Sequence, residues 1–182
     1  MTHQGVVDAI QRFKRQHPLD PATITRVVIR GAPRIMEERH TARAPQDVLG
    51  GQYSLPFTTA VALTRDLSNP FVYDEAAVHD ALVRSLAQRV ELHPRDDVGD
   101  AAPYVWPAEV IIECAGRSHT LRTRPHKGAP SNPFTWSEVC EKFQRYTAPV
   151  VAASRAAALI DVVGRLEKVT DMADVAELVA AR

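Results

Sequence analysis

No run of these 182 residues is long and apolar enough to cross a bilayer, and Asp8 interrupts the start before a leader-type apolar core can form. Neither a transmembrane helix nor a signal peptide is expected, which favours a cytoplasmic protein. An excess of one charge is also missing. Lys+Arg and Asp+Glu number 22 each, leaving no basic field to hold a phosphate backbone or to favour an anionic membrane, so nucleic-acid and membrane partners are not expected. Cysteine is scarce. Cys114 and Cys140 are far apart without a CxxC spacing, which argues for unpaired thiols in a reducing compartment and against a disulfide framework. The seven histidines form no HxH, HExxH or Cys/His pattern, so no metal site is expected. GxGxxG, P-loop and GxSxG motifs are absent too, and nothing binds a nucleotide cofactor by motif. What the chain does have is core material. With 45% hydrophobic residues it can bury a sizeable interior in one domain, alone or with a small helical appendage.

Periodicity orders the elements. A helix is expected over about 3–16, with Val6, Val7, Ile10 and Phe13 on one face and Thr2 available as its cap; His17-Pro18 ends it. ITRVVIR at 24–30 is β-branched enough for a strand, and residues 31–51, with two prolines and three glycines, read as a long loop. Helices follow at 54–66 and about 74–88, then a strand at 89–93 and an irregular crossing at 94–105. EVIIECAGRSHTLRTR at 109–124 reads as a hairpin turning at Ala115-Gly116. Thr135 and Glu138 form a capping box for the next helix, and 149–181 is helical with a break near Thr170, where Thr170 or Asp171 can cap a last short helix. The sum is an α+β fold: a small, mostly antiparallel sheet of about four strands with flanking helices over 1–134, then a helical tail over 135–182.

Four groups of residues are candidates for chemistry. In QYSLPFTTAVAL at 52–63, Ser54 can cap a helix, Pro56 sits where a missing N–H costs nothing, and Phe57 and the first amides face whatever lies above, where anions are favoured. The same residues also describe an ordinary, well-capped amphipathic helix. His3 stands at a helix start, where the dipole keeps an imidazole neutral and able to accept a proton near pH 7; a solvated terminal histidine is the other reading. The segment 125–132 offers His126, Lys127, Gly128 and Asn132 to a carboxylate, or is a plain solvated turn from strand to helix. Arg34 and Arg43 are further candidates for clamping a carboxylate.

Three stretches carry a resemblance. QYSLPFTTAVAL resembles the FSLPY…AAAL segment of the MmgE/PrpD family, which includes 2-methylcitrate dehydratase, cis-aconitate decarboxylase and iminodisuccinate epimerase. THQGVVDAI at 2–10 is similar to that family's TH…IDA helix start, and KGAPSNPFTWSEVCEKF at 127–143 resembles its G.P.NP.SW.EV..KF signature. The three occur in the family's order and span nearly the whole chain, which resembles the C-terminal half of a longer enzyme and lacks a match to its large helical domain.

The resemblance implies a lid, or substrate-capping, domain acting on a small di- or tricarboxylate without a cofactor, by acid/base elimination or the related decarboxylation and epimerisation. It aligns His3 with a histidine lining the family's active site and so implies a catalytic role as base or acid, with Ser54, Phe57, His126 and Lys127 at the substrate. Phe57 is a departure. Family members usually have tyrosine there, with a hydroxyl facing substrate, and phenylalanine can donate nothing, so Phe57 is either a core aromatic or a shaper of the pocket. The remaining site residues would lie in the helical domain, so a separate helical domain or subunit is expected to complete the site. Val151, Leu159, Ile160, Val163, Leu166 and Val169 form an apolar stripe in the tail, which suits a homo-oligomer or that helical subunit; the alternative is a tail folded back on its own domain. Two further possibilities are a non-catalytic binding or assembly protein that keeps the lid fold, and a stand-alone isomerase or lyase with a new site.

Overall fold

The computed structural model describes residues 3–95 and 106–180. Thr2, expected as a helix cap, and most of the 94–105 crossing lie outside the described residues. The chain divides into two compact units, Met1–Pro133 and Phe134–Arg182.

In the first unit, α1 (Gln4–Gln16) buries Val6, Ala9, Ile10 and Phe13, a spacing that keeps one face of a 3.6-residue helix on the core. It ends at His17, the residue before Pro18, where helical backbone is disfavoured. The strands are β1 (Ile24–Gly31), β2 (Val90–Pro94), β3 (Ala108–Cys114) and β4 (Arg117–Arg122), in the spatial order β2-β1-β3-β4. The sheet is mixed, as β1 pairs antiparallel with β3, and β3 with β4, whereas β1 and β2 are parallel, with Val27 opposite Val90. Along β3 burial alternates strictly, and Ala108, Val110, Ile112 and Cys114 enter the core. The β3–β4 hairpin turns at Ala115 (φ 48°) and Gly116 (φ 72°), two consecutive positive φ values that suit the twist of a two-residue hairpin.

The crossover from β1 to β2 contains more regular structure than the sequence suggests. The segment 31–51, expected as one loop, holds tight turns at Pro33–Met36 and Glu38–His40 and the start of α2 (Val48–Tyr53), which Asp47 caps by accepting from Gly50 N at 2.6 Å. Glycines at 50 and 51 conceal this helix from propensity, and the Asp47 cap offsets their cost. Next come α3 (Leu55–Thr64), α4 (Glu75–His79) and α5 (Ala81–Gln88). The expected single helix over 74–88 is broken at Asp80, whose carboxylate accepts from Leu82 N and Val83 N and caps α5 afresh. Arg65, at the C-cap of α3, joins the two caps by reaching Asp74 at 3.2 Å and Asp80 at 3.4 Å.

The α3 helix is not amphipathic. Every residue from Leu55 to Leu63 is buried, and the helix packs against α1, α2, α5 and β2 as the centre of the unit. Packing rather than propensity holds it, because a ten-residue helix is marginal alone.

In the second unit, α6 (Trp136–Thr147) opens on the capping box: Glu138 N donates to Thr135 Oγ1, and Thr135 N to Glu138 Oε2 at 2.7 Å. It is followed by α7 (Ala153–Val163), a tight turn at Leu166–Lys168, and α8 (Met172–Val179), which Asp171 caps. Ala156, Leu159 and Val162 of α7 are buried, so the expected stripe is split. Leu159 lies inside, whereas Val163 and Leu166 are each 45% exposed. Among the described residues no helix is long and apolar enough to cross a membrane.

Candidate active site

His3 occupies the N-cap position of α1 without using its side chain as a cap. Its ring is instead drawn inside. It is only 7% exposed and meets the ring of His40 edge to face, with centroids 4.8 Å apart and planes at 80°. His40, at the end of the second tight turn of the crossover, is 4% exposed. Its Nδ1 donates to the carbonyl of Tyr53 at 2.9 Å, and its ring lies nearly parallel to the Tyr53 ring at 6.3 Å. A carbonyl only accepts, so this bond assigns the hydrogen to Nδ1 of His40. Tyr53, the last residue of α2, is 53% exposed. A column of three rings thus runs from a buried imidazole to a solvent-facing phenol.

Burial, with lesser contributions from the neighbouring His40 and the amino terminus, pushes the His3 imidazole down from 6.5 to about 4. His3 is therefore neutral at pH 7. Its Nε2 is buried with no hydrogen-bond partner among the described residues, a state that costs about 1–3 kcal/mol and that folded interiors seldom leave unrelieved. A neutral, unpaired imidazole nitrogen is a competent proton acceptor or donor awaiting a partner.

The other expected site residues have different surroundings. Ser54 is fully buried, and its hydroxyl is spent twice: it accepts from Phe57 N at 3.0 Å and donates to the carbonyl of Ala42. The start of α3 is accordingly not an open anion seat, because Ser54 supplies its acceptors and the end of α2 covers it: Thr58 Oγ1 donates to Gly51 O at 3.3 Å. Phe57 is 1% exposed and lies so close to Gly51 that a Cβ added there would sit 2.8 Å from its ring. His126 and Lys127 are half-buried in a turn closed on itself, where Gly128 N donates to Asn132 O, Ala129 N to His126 O, and the Asn132 side chain to Pro125 O. Arg43 gives its guanidinium to the Val90 carbonyl at 2.9 Å and so anchors the crossover to β2. Arg34 lies over Trp106, 5.6 Å from the ring centre.

The structure thus brings His3 together with His40 and Tyr53, which the sequence does not single out. One signal was available for His40, which lies in the long 31–51 segment, but only the fold shows that it is His40 that turns inward there; Tyr53 lies just beyond it, beside Ser54. A separate groove of about 560 Å³ lies between α1 and β4 around Phe13, His17 and His119, and His3 is not part of it. No group of three or more metal-ligating side chains occurs among the described residues.

A mixed sheet flanked by helices, with a buried pair of histidine rings where α1 meets the crossover, defines an α+β domain. The MmgE/PrpD C-terminal domain model matches residues 1–168. The chain belongs to that family. The comparison with curated proteins gives no match.

Proposed function

We propose that this chain is the lid domain of a lyase or isomerase of the MmgE/PrpD type, acting on a small di- or tricarboxylate by cofactor-free acid/base chemistry. The observation that carries this reading is the His3 imidazole, buried, uncharged at neutral pH and unpaired at Nε2. In a dehydration such a group takes the proton from carbon next to a carboxylate while a second group protonates the departing hydroxyl, which leaves as water; in a decarboxylation its protonated form gives a proton to the carbon that carbon dioxide vacates; in an epimerisation it takes the proton from one face and a second group returns one to the other. A single base is not a complete site, so a separate helical domain or subunit supplies the rest. The two free thiols, Cys114 and Cys140, suit a cytoplasmic setting.

A second reading, a binding or assembly protein that keeps the fold, is favoured by one observation: Phe57 is enclosed and carries no hydroxyl, and Ser54 has none to spare. Proton exchange separates the two. In D₂O, the chain complemented with a helical partner is expected to wash out hydrogen next to a carboxylate of hydroxy-di- and tricarboxylates, followed by NMR. His3→Ala should slow this by about a hundredfold. Absence of exchange with every substrate of this class would support the binding protein.

A further inference from the structure

We propose that His40 is a positioning residue, whose ring, fixed through Nδ1 to the Tyr53 carbonyl, holds the His3 imidazole in place as a proton acceptor. The proposal rests on the reading of His3 as the working base, and four observations carry it. The two rings touch edge to face at 4.8 Å, in a part of the fold where both are more than nine-tenths buried. The bond from His40 Nδ1 to Tyr53 O, 2.9 Å, fixes both the ring plane and the tautomer of His40, in the way a second histidine or carboxylate orients a ligand or base elsewhere. The backbone that bears His40 is itself pinned on its C-terminal side, at Ala42 by the Ser54 hydroxyl and at Arg43 by the Val90 carbonyl. Finally, His3 has no hydrogen bond at Nε2 to orient its ring among the described residues, whereas the His40 ring touches it.

The arrangement also has an electrostatic consequence. His40 and the amino terminus are the titratable groups that act on His3, and among the rings His40 meets are those of His3 and Tyr53. After burial, the nearness of His40 is the next cause that lowers the His3 imidazole, and the edge-to-face contact leaves the His3 Nε2 unoccupied.

Histidine-ring NMR on the full chain tests this without any substrate. In the wild type the His3 ring is expected to titrate well below 6.5. Its midpoint should rise by roughly half a pH unit or more in His40→Phe, which keeps a ring but no ionisable nitrogen, and in His40→Asn, which keeps an N–H for the Tyr53 carbonyl but no ring. In both it should stay below 6.5, because burial remains. An unchanged His3 midpoint in either folded variant would overturn the proposal. Should both variants unfold, the wild type decides: through-space coupling between the His3 and His40 rings must be seen in its NOE spectrum, and its absence would overturn the proposal. A chain that shows this coupling but exchanges no substrate proton would leave the positioning role standing and remove the catalytic reading above.

Discussion

His3 and His40 meet with their ring planes at 80°, although they enter the chain on opposite sides of the first strand. Burial of His3, and secondarily its contact with His40, gives folding a pH dependence. With a folded value near 4 against 6.5 unfolded, His3 is protonated in the unfolded chain but not in the folded one between those limits. Its contribution is complete above pH 6.5 and is lost as pH falls toward 4, by an amount on the order of 3 kcal/mol. Urea melts at pH 7, 5.5 and 4 should show the wild type losing more stability than His3→Gln. Parallel losses would show that His3 is not shielded.

Phe57→Tyr has the right chemistry for a missing hydroxyl but the wrong surroundings. The ring is enclosed and abuts Gly51, so the new hydroxyl is expected to be buried without a partner and to cost about 1–3 kcal/mol. The urea midpoint measures it. A variant as stable as the wild type, with a gain in proton exchange, would show that position 57 opens onto substrate.

The hairpin turn offers a gain. Ala115 holds φ at 48°, a region where asparagine is more at ease than alanine, and Gly116 already fills the second position. Ala115→Asn should raise stability by about 0.5–1 kcal/mol, seen as a higher melting temperature. No change would mean the turn relaxes.

The helical unit leaves Trp136, Tyr146, Val163, Leu166 and Met172 exposed, more apolar surface than a solitary helical appendage usually carries. Assembly through this unit, with a second copy or a helical subunit, is the expected outcome. Val163→Asp with Leu166→Asp should then abolish association in sedimentation experiments while leaving helicity intact, since neither side chain is buried. A wild-type chain that stays monomeric at high concentration, alone and with a helical partner, would contradict this.

Local chemistry made much of the fold legible. The Ser54 cap, the Thr135–Glu138 box, the Asp171 cap and the Ala115-Gly116 turn each declare themselves within four residues, and each is formed. The parallel pairing of β1 with β2 is not local and leaves no such trace. Periodicity at 74–88 suggested one helix because the Asp80 cap competes with an apolar pattern that continues across it. For the site, the family likeness pointed to His3. It could not reveal the contact of His3 with His40, which spans β1, or that of His40 with Tyr53, nor that the Ser54 hydroxyl is consumed by the backbone at Ala42.

The parallel β1–β2 pair has a kinetic consequence. Because β2 is reached only after the whole crossover from Gly31 to Val90 has been laid down, the central strand waits on contacts of high sequence separation, and such topologies fold slowly. The histidine pair spans the same interval, with one ring before β1 and the other inside the crossover. The imidazole contact and the β1–β2 ladder should therefore mature in the same late phase of refolding, so that the histidine pair closes at the moment the chain commits to its topology.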